Sequence, residues 1–228
     1  MPDSNGRPLV GVLALQGDVA EHRATLERLG ARTRAVKLPA DLQGLSGLIL
    51  PGGESTTMGK LMKRFDLLEP IRSAARRGLP MYGTCAGMIL LSNDIRNSAD
   101  DQPVIGGMDI GITRNAFGSQ VDSFETDLEI PVLSGGLFHA VFIRAPVICS
   151  VGSGVQVLAC LTDNTPVAAR QESMLVSAFH PELTQDTRMH ELFLDMVGGR
   201  SNPCLSPQEA SSEPPARSVN YIATQPLS

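Results

Sequence analysis

The sequence predicts an α/β fold whose central sheet is mainly parallel and carries an antiparallel extension. In the first half of the chain, short apolar runs that end in Gly- or Pro-rich turns alternate with helical patterns, which is typical of a doubly wound sheet. In the second half, strand-like segments follow one another without helices between them. A chain of 228 residues, 42 % of them hydrophobic, is long enough for one domain of this kind.

In the first half of the chain, turn residues mark the ends of the predicted strands and helices. Residues 9–15 are an apolar run that predicts a buried strand. Asp18 is a candidate N-cap of the helix that follows, and Gly30 is its expected stop. The other elements predicted in this half are strands at 45–50 and 79–82 and helices at 56–77, with a break near Pro70, and 88–95.

The sequence pattern of the second half of the chain predicts several strands followed by one helix. The helix, at 186–197, has Met189, Leu192, Phe193 and Met196 on one face, the spacing of a helix that packs on a core. After Gly199 the composition shifts to Ser, Pro, Gln and Glu, so we predict one domain over residues 1–199 and a disordered tail over 200–228. The predicted strands are 110–113, 121–130, 138–143, 155–160, 167–170 and 174–179.

Charge and composition argue against some classes of partner. The formal net charge is −5 and no long Lys/Arg run is present, so we expect no nucleic-acid surface. The first residues lack the apolar run of a secretion signal, and no stretch approaches the roughly 18 apolar residues that cross a bilayer. We therefore expect a cytoplasmic protein that does not bind membranes.

The cysteines suggest free thiols. Cys85, Cys149, Cys160 and Cys204 lie at spacings that match neither a disulfide framework nor a CxxC metal site. In a reducing cytosol all four would be thiols. We expect Cys149 and Cys160 to be small buried hydrophobic residues, and we expect no metal ion and no cofactor.

The strongest local motif is Gly-Thr-Cys-Ala-Gly at 83–87, between a predicted strand and a predicted helix. It has the form of a nucleophile elbow, a sharp turn whose neighbours must be small. At the start of a helix, the dipole and the free N–H groups favour a thiolate at Cys85. A Gly-rich turn with an incidental cysteine would contain the same five residues, so the motif needs a second signal.

A nucleophilic cysteine needs a base and a group that orients the base. His22 and His190 lie within helical patterns, and His139 lies within a strand-like segment, so we expect structural roles for all three. His180 ends an apolar strand and is followed by Pro181 and Glu182. In extended backbone, residues i and i+2 point the same way, so we expect the histidine and the glutamate to lie side by side.

Acyl chemistry also needs donors for an oxyanion. The N–H of Ala86, immediately after the cysteine, is one candidate donor. The turn at 51–55 follows a neighbouring strand, and Gly53 is the candidate second donor. A flexible turn without a catalytic role would also fit these residues.

The motifs together resemble the class I (triad) glutamine amidotransferases. The narrower resemblance is to the glutaminase subunits of pyridoxal 5′-phosphate synthase, which serve vitamin B6 synthesis, and it covers about residues 9–197. The tail after Gly199 has no counterpart in the shorter members of that family. The matching stretches are 13–18, 21–22, 50–58, 83–87, 114–124, 142–146 and 177–184.

The resemblance implies a flavodoxin-like three-layer α/β/α fold and a glutaminase reaction. Cys85 would attack the side-chain amide of L-glutamine, release ammonia and leave a γ-glutamyl thioester that water hydrolyses. An arginine at position 114 would fit the substrate α-carboxylate, because its donors form a fixed fork. The residues that the resemblance places around glutamine are Gly53, Glu54, Ser55, Arg114, Ile143 and Arg144.

A partner is also implied. Free ammonia at neutral pH is largely protonated and lost as a nucleophile, so a glutaminase of this kind must pass it directly to a synthase. In the family that it resembles, the synthase is a (β/α)₈ barrel that condenses a pentose phosphate and a triose phosphate with the ammonia. We expect Gln16 to lie at the interface with this partner, near the oxyanion turn.

Three alternatives stay open from the sequence. The chain could be a triad glutaminase that serves another synthase, such as imidazole-glycerol-phosphate synthase. It could be an elbow-cysteine hydrolase of another specificity, such as a peptidase-like protein. It could also be a binding subunit with an inactive site, although the intact Cys85, His180 and Glu182 argue against this.

Overall fold

The structure is a computed structural model that describes residues 6–96, 102–114 and 123–199. The strands are β1 (Leu9–Leu13), β2 (Arg32–Val36), β3 (Gly47–Leu50), β4 (Met81–Thr84), β5 (Ser92–Arg96), β6 (Met108–Thr113), β7 (Ser123–Leu128), β8 (Phe138–Ile143), β9 (Val147–Val151), β10 (Gln156–Cys160), β11 (Pro166–Gln171) and β12 (Met174–Ser177). The helices are α1 (Val19–Arg28), α2 (Ser55–Arg64), α3 (Leu68–Arg76), α4 (Ala86–Leu91) and α5 (Arg188–Val197).

The central sheet is mainly parallel and has an antiparallel extension, as the sequence predicts. Within the described residues its strand order is β10-β11-β12-β4-β3-β1-β2. The pairs from β12 to β2 are parallel, whereas β10, β11 and β12 pair antiparallel. The parallel strands β1, β3, β4 and β12 are buried along their whole length, which explains their unbroken apolar runs.

Smaller sheets complete the second half. Strand β5 pairs parallel with β6, which pairs antiparallel with β9, and β7 forms an antiparallel pair with β8. The buried ring of Phe142 on β8 stacks on Phe124 of β7 at 4.5 Å and contacts Phe179 after β12. The β7–β8 pair is thereby attached to the end of the central sheet that carries residues 178–182.

The predicted break near Pro70 was wrong. The chain leaves the helical conformation earlier, at Phe65–Leu67, where Asp66 has a positive φ of 55°. Pro70 lies in the first turn of α3, where a helix tolerates proline because the missing N–H would have no partner inside the helix.

The prediction of a helix through residue 95 was also wrong. Helix α4 ends at Leu91, and Ser92–Arg96 is strand β5. A short apolar run does not distinguish a helix from a strand, and here the pairing with β6 decides the conformation. The sequence interpretation also missed β2 and β9, whose residues are only partly buried and lack a continuous apolar signal.

Cys149 and Cys160 are exposed, so the prediction that they are buried was wrong. Cys149 lies on an outward position of β9, and Cys160 ends β10, the strand at one edge of the central sheet. The side-chain alternation of a strand and the position of the strand in the sheet set their exposure.

Some predictions fall on residues that the structure leaves undescribed. The tail at 200–228, Cys204 and residues 115–122, which belong to the matching stretch at 114–124 and to the start of the strand predicted at 121–130, lie outside the described ranges. In the described part of the chain, no helix combines the length and apolar character that crossing a membrane requires.

The elbow packs too tightly for any side chain at its glycines. A Cβ on Gly87 would overlap the carbonyl oxygen of Leu50 at the end of β3. A Cβ on Gly83 would lie 2.5 Å from the carbonyl group of Gly87. Backbone atoms cannot move aside as a flexible side chain can, so these two glycines let the end of β4, the start of α4 and the end of β3 approach one another.

We therefore predict that Gly87→Ala lowers the free energy of unfolding by about 1–3 kcal/mol, the usual range for overpacking. The matched control is Gly154→Ala, whose Cβ would make an ordinary 3.5 Å contact with Gln171 and should change stability by less than about 0.5 kcal/mol. Urea unfolding of the two variants measures both values. Equal stability of the two variants would contradict the packing argument.

Candidate active site

Cys85 lies at the turn between β4 and α4. Its backbone has φ 47° and ψ −101°, a conformation that a residue with a Cβ rarely adopts and that is typical of a strained functional turn. Its N–H donates to the carbonyl of Ser177 at the end of β12, at 2.8 Å. The residue is 7 % exposed, and the sulfur lies 3.8 Å from the carbonyl oxygen of Ile143.

His180 and Glu182 lie side by side, as expected, but the backbone reason for it was wrong. Pro181–Leu183 forms a 3₁₀ turn, so the chain is not extended here. The turn nevertheless places Glu182 Oε1 2.7 Å from His180 Nδ1. The backbone N–H of His180 donates to the carbonyl of Val141 on β8 at 2.8 Å, so a second element holds the backbone at this residue.

The other ring nitrogen of His180 faces Cys85. His180 Nε2 is buried and has no hydrogen-bond partner among the described residues. Burial opposes a charge on this ring, but the sulfur of Cys85 and the Glu182 carboxylate outweigh burial and raise the pKa of His180 to about 10. The imidazolium form is therefore favoured at neutral pH. Burial raises the pKa of Glu182, and its hydrogen bond with His180 opposes that rise.

A second carboxylate approaches the same imidazole. Asp18 Oδ2 lies 3.3 Å from His180 Nδ1, and the Asp18 side chain is 36 % exposed. Asp18 occupies the predicted N-cap position of α1, but its side chain makes no capping hydrogen bond. The N-cap position of Asp18 is therefore confirmed, but its carboxylate is free of a capping role and approaches His180 instead.

Asp18, His180 and Glu182 are close enough to be considered as metal ligands, since their ligand atoms lie within 4.8 Å of one another. The 2.7 Å contact between His180 and Glu182 is an ordinary charge-assisted hydrogen bond. Two ligands on a tetrahedral zinc ion lie about 3.3 Å apart, given metal–ligand bonds of about 2.0 Å. This arrangement therefore fits a hydrogen bond better than a metal site.

A cleft of about 450 Å³ opens above the cysteine. The structure brings together in its wall every residue that the sequence analysis assigned to the glutamine site. The wall also contains the proposed interface residue and both oxyanion positions. The lining residues are Gln16, Asp18, Gly53, Glu54, Ser55, Cys85, Ala86, Ile89, Arg114, Ile143, Arg144, Pro146, His180 and Leu183.

The turn after β3 is held by Gln16. The Gln16 Oε1 accepts a 2.7 Å hydrogen bond from the N–H of Glu54. The same side chain lies over Gly53, where a Cβ would come within 2.5 Å of Gln16 Oε1. Gly53 has a φ of 141°, which a residue with a side chain would rarely adopt. Gln16 is thus in contact with the predicted oxyanion turn.

Glu54 is the N-cap of α2. Its carboxylate accepts from the N–H groups of Thr56 at 3.1 Å and Thr57 at 2.6 Å. Partial burial opposes the charge, but these hydrogen bonds lower the pKa of Glu54 to about 2. Arg114 Nη2 donates to the same carboxylate at 3.1 Å. The cleft therefore contains a fixed negative and a fixed positive group next to each other.

Arg114 is held in position by further acceptors. Its Nη1 donates to Thr56 Oγ1 at 3.1 Å and to Gln102 Oε1 at 3.0 Å. On the opposite wall Arg144 has a positive φ of 44°, next to the half-exposed Ile143.

His22 and His190 lie in a buried cluster beside Glu182. Both are fully buried, and His22 Nε2 lies 3.4 Å from Glu182 Oε2. The available signal was the position of His22 four residues before Leu26, on the buried face of α1. His139, in contrast, is an exposed surface residue between Asp127 and Glu125 of the paired strand.

A buried His–Glu pair beside a cysteine on a strained strand-to-helix turn, on a mainly parallel sheet, defines the class I (triad) glutamine amidotransferases. Comparison with known proteins agrees. The sequence profile of the SNO glutamine amidotransferase family matches residues 12–198. The chain therefore belongs to the SNO glutamine amidotransferase family.

Individual relatives are close. The chain is 57 % identical over 196 residues to "Pyridoxal 5'-phosphate synthase subunit PdxT" of Clavibacter sepedonicus, covering 86 % of this chain and 93 % of the relative. It is 58 % identical over 188 residues to the protein of the same name from Herpetosiphon aurantiacus, covering 82 % and 99 %. A solved structure described as a glutamine amidotransferase superposes with a TM-score of 0.78 at 49 % identity, covering 83 % of this chain and 98 % of that one. The fold is the flavodoxin-like α/β/α fold of these proteins.

The charge on His180 is open to a direct test. We predict that Cys85→Ala lowers the pKa of His180, because the thiol is one of the two groups that favour the charged ring. Heteronuclear NMR of the imidazole nitrogens across a pH series would show the ring of the wild type still charged above neutral pH and the ring of the variant losing its proton at lower pH. The exposed His139 should titrate identically in both proteins. An unchanged titration of His180 would contradict the predicted contact with the thiol.

Proposed function

We propose that this chain is the glutaminase subunit of a pyridoxal 5′-phosphate synthase and hydrolyses L-glutamine to L-glutamate and ammonia. The observation that carries the proposal is the buried His180–Glu182 pair, whose free ring nitrogen faces the elbow thiol of Cys85. Relatives named as this synthase's subunit match it at 57–58 % identity over nearly their whole length, which supports the pathway.

In the proposed reaction, the sulfur of Cys85 attacks the side-chain amide carbon of glutamine as a thiolate paired with the charged ring of His180. The tetrahedral intermediate collapses when His180 gives its proton to the amide nitrogen, so that ammonia leaves and a γ-glutamyl thioester remains. Water then attacks the thioester while His180 takes its proton. The thiolate leaves, His180 keeps the proton taken from water, and glutamate is released. Glu182 stabilises the imidazolium in both halves.

The oxyanion is assigned to two backbone donors. Ala86 is the first residue of α4, where N–H groups have no partner inside the helix. Gly53 lies across the cleft at the turn after β3. An oxyanion between these N–H groups would be stabilised by both donors.

The charged groups of the cleft suit the two ends of an amino acid. Arg114 offers its guanidinium fork to the α-carboxylate, and Glu54 offers a negative charge to the α-ammonium group. Ser55, Ile143 and Arg144 complete the wall around the side chain of glutamine.

A barrel synthase is the proposed recipient of the ammonia. We place its docking site at Gln16, because this exposed residue contacts the oxyanion turn through the N–H of Glu54. Docking there would act directly on the donors of the oxyanion. The net charge of −5 supports a role without nucleic acid or membrane, and we place the complex in the cytoplasm.

The decisive assay measures ammonia released from glutamine, with and without the (β/α)₈-barrel synthase. We predict that the synthase raises the rate and that Cys85→Ala and His180→Asn each lower it by about 10³-fold or more, because the triad acts as a unit. The matched control is Cys149→Ala, which removes an exposed thiol and should retain full activity. A glutamine-analogue electrophile should label Cys85 alone. Labelling of Cys149 or Cys160 instead would reject the assignment.

Substrate binding is tested at the proposed carboxylate clamp. We predict that Arg114→Lys raises KM for glutamine by about tenfold and leaves kcat nearly unchanged, because one ammonium group cannot replace a bidentate fork. The exposed Arg76→Lys serves as the control for the charge-conserving change. A wild-type KM in Arg114→Lys would remove this residue from the binding site.

A further inference from the structure

The second oxygen of Glu182 lies in a fully buried polar cluster. Oε1 is bonded to His180, whereas Oε2 is buried and has no hydrogen-bond partner by ordinary geometry. The side chains of Glu182 and His22 are both 0 % exposed, and His22 Nε2 lies 3.4 Å from Oε2. A carboxylate oxygen in this position needs a donor, because burial without one is costly. The distance is long for a hydrogen bond, as is common in active sites before substrate binds.

The identity of the donor follows from the neighbours of His22. Its Nδ1 lies 2.9 Å from His190 Nε2, so one of these two nitrogens carries a proton and the other accepts it. If His22 carried its proton on Nδ1, its Nε2 lone pair would face the carboxylate of Glu182. The proton of His190 would then lie on Nδ1, a buried atom with no acceptor among the described residues.

The opposite tautomer removes both problems. His190 then donates from Nε2 to His22 Nδ1, and His22 Nε2–H points between Glu182 Oε2 and Thr84 Oγ1, which lies 3.2 Å away. In this tautomer His190 Nδ1 is the one ring nitrogen of the pair without a partner, and it carries a lone pair. In the first tautomer the same nitrogen would carry a buried N–H without an acceptor, and orphaned buried N–H groups are rarer than orphaned acceptors.

We propose that His22 is a positioning residue that holds the second carboxylate oxygen of Glu182, and that His190 fixes the tautomer in which it does so. The chain of contacts runs from α5 through α1 to the 3₁₀ turn that carries Glu182, and from there to His180 and the thiol. This role rests on the proposed glutaminase reaction, because His22 would position Glu182, the acid that orients His180 in that reaction.

The charges around the pair agree with neutral rings. Burial, His190 and His180 hold the pKa of His22 well below its ordinary value. Burial and the nearby Arg28 of α1 lower the pKa of His190 to about 4. Both rings are therefore uncharged at neutral pH.

The remaining titratable groups near the pair lie on β4 and at the start of α1. Tyr82 contacts the His190 ring edge-on at 6.1 Å, and burial raises its pKa far above neutral, so that it stays uncharged. Asp18 lies in the wall of the cleft and contacts His180 rather than His22 or His190. The charged groups that act on His22 are thus Glu182, at 3.4 Å, and the charged ring of His180 beyond it.

The first experiment uses the wild-type chain and needs no activity. Heteronuclear NMR of the imidazole nitrogens is expected to show His22 and His190 as neutral rings protonated on Nε2 throughout neutral pH. A His22 ring protonated on Nδ1, or charged, would overturn the proposal.

The second experiment compares His22→Gln with His22→Asn in the complex with the synthase. Both side chains are uncharged amides, but only glutamine is long enough to place its N–H where Nε2 stood, whereas asparagine reaches only the position of Nδ1. We expect His22→Asn to lower kcat by about 10- to 100-fold, the effect of one hydrogen bond to a charged group, with KM within about twofold of the wild type. We expect His22→Gln to recover most of the loss.

The pH profile separates positioning from a purely structural role. In His22→Asn the charged form of Glu182 loses a donor, so Glu182 takes up a proton at higher pH and the acid limb of kcat/KM moves to higher pH. Equal kcat values and profiles for the two variants would overturn the positioning role even if both lose thermal stability. If neither variant folds, the tautomer of the wild type decides. A wild-type complex that releases no ammonia would instead reject the proposed function, and the positioning role with it.

Discussion

The parallel pairing of β4 with β12 is the constraint on which the rest of the site depends. In this register Thr84 lies opposite Ser177, so both strands end at the same edge of the sheet, and the N–H of Cys85 bonds to the carbonyl of Ser177. The chain reaches His180 three residues later, where Val141 holds its backbone. Two residues encoded far apart thus meet because neighbouring parallel strands deliver their carboxyl ends to one place. A slip of one residue in this pairing would turn one of them away from the other.

Burial explains why the site needs so many supporting groups. Glu182 is enclosed, and an enclosed carboxylate keeps its charge only when donors surround it. His180 provides one donor, and the neutral His22–His190 pair lies on the other side. The exposed wall of the cleft is different: Glu54 keeps its charge through backbone N–H groups, and Gln16 holds the turn that carries Gly53. The inner half is therefore fixed by packing, whereas the turn that carries Gly53 is in contact with the exposed side chain of Gln16.

The parts of the site that the sequence predicts are those that rest on local chemistry. Small residues around Cys85 reflect backbone crowding within one turn, and the short spacing of His180 and Glu182 keeps them together in either an extended or a 3₁₀ backbone. The errors concern residues whose environment comes from elsewhere in the chain. The apolar run before β5 predicts a helix, because only the pairing of β5 with β6 distinguishes a strand from a helix there. The exposure of Cys149 and Cys160 follows from the edge positions of their strands, which no local pattern reveals.

The sequence by itself determined the succession of buried strands and helices, the elbow cysteine and the His–Glu pair, because periodicity and turn chemistry depend on neighbouring residues. Only the tertiary structure decided the strand order, the contact of Asp18 with His180, and the contact of His22 with Glu182. The two side-chain contacts join residues separated by more than a hundred positions, and no pattern within α1 distinguishes a histidine that fills space from one that faces a buried carboxylate. The packing of α1 against α5 brings His22 and His190 together.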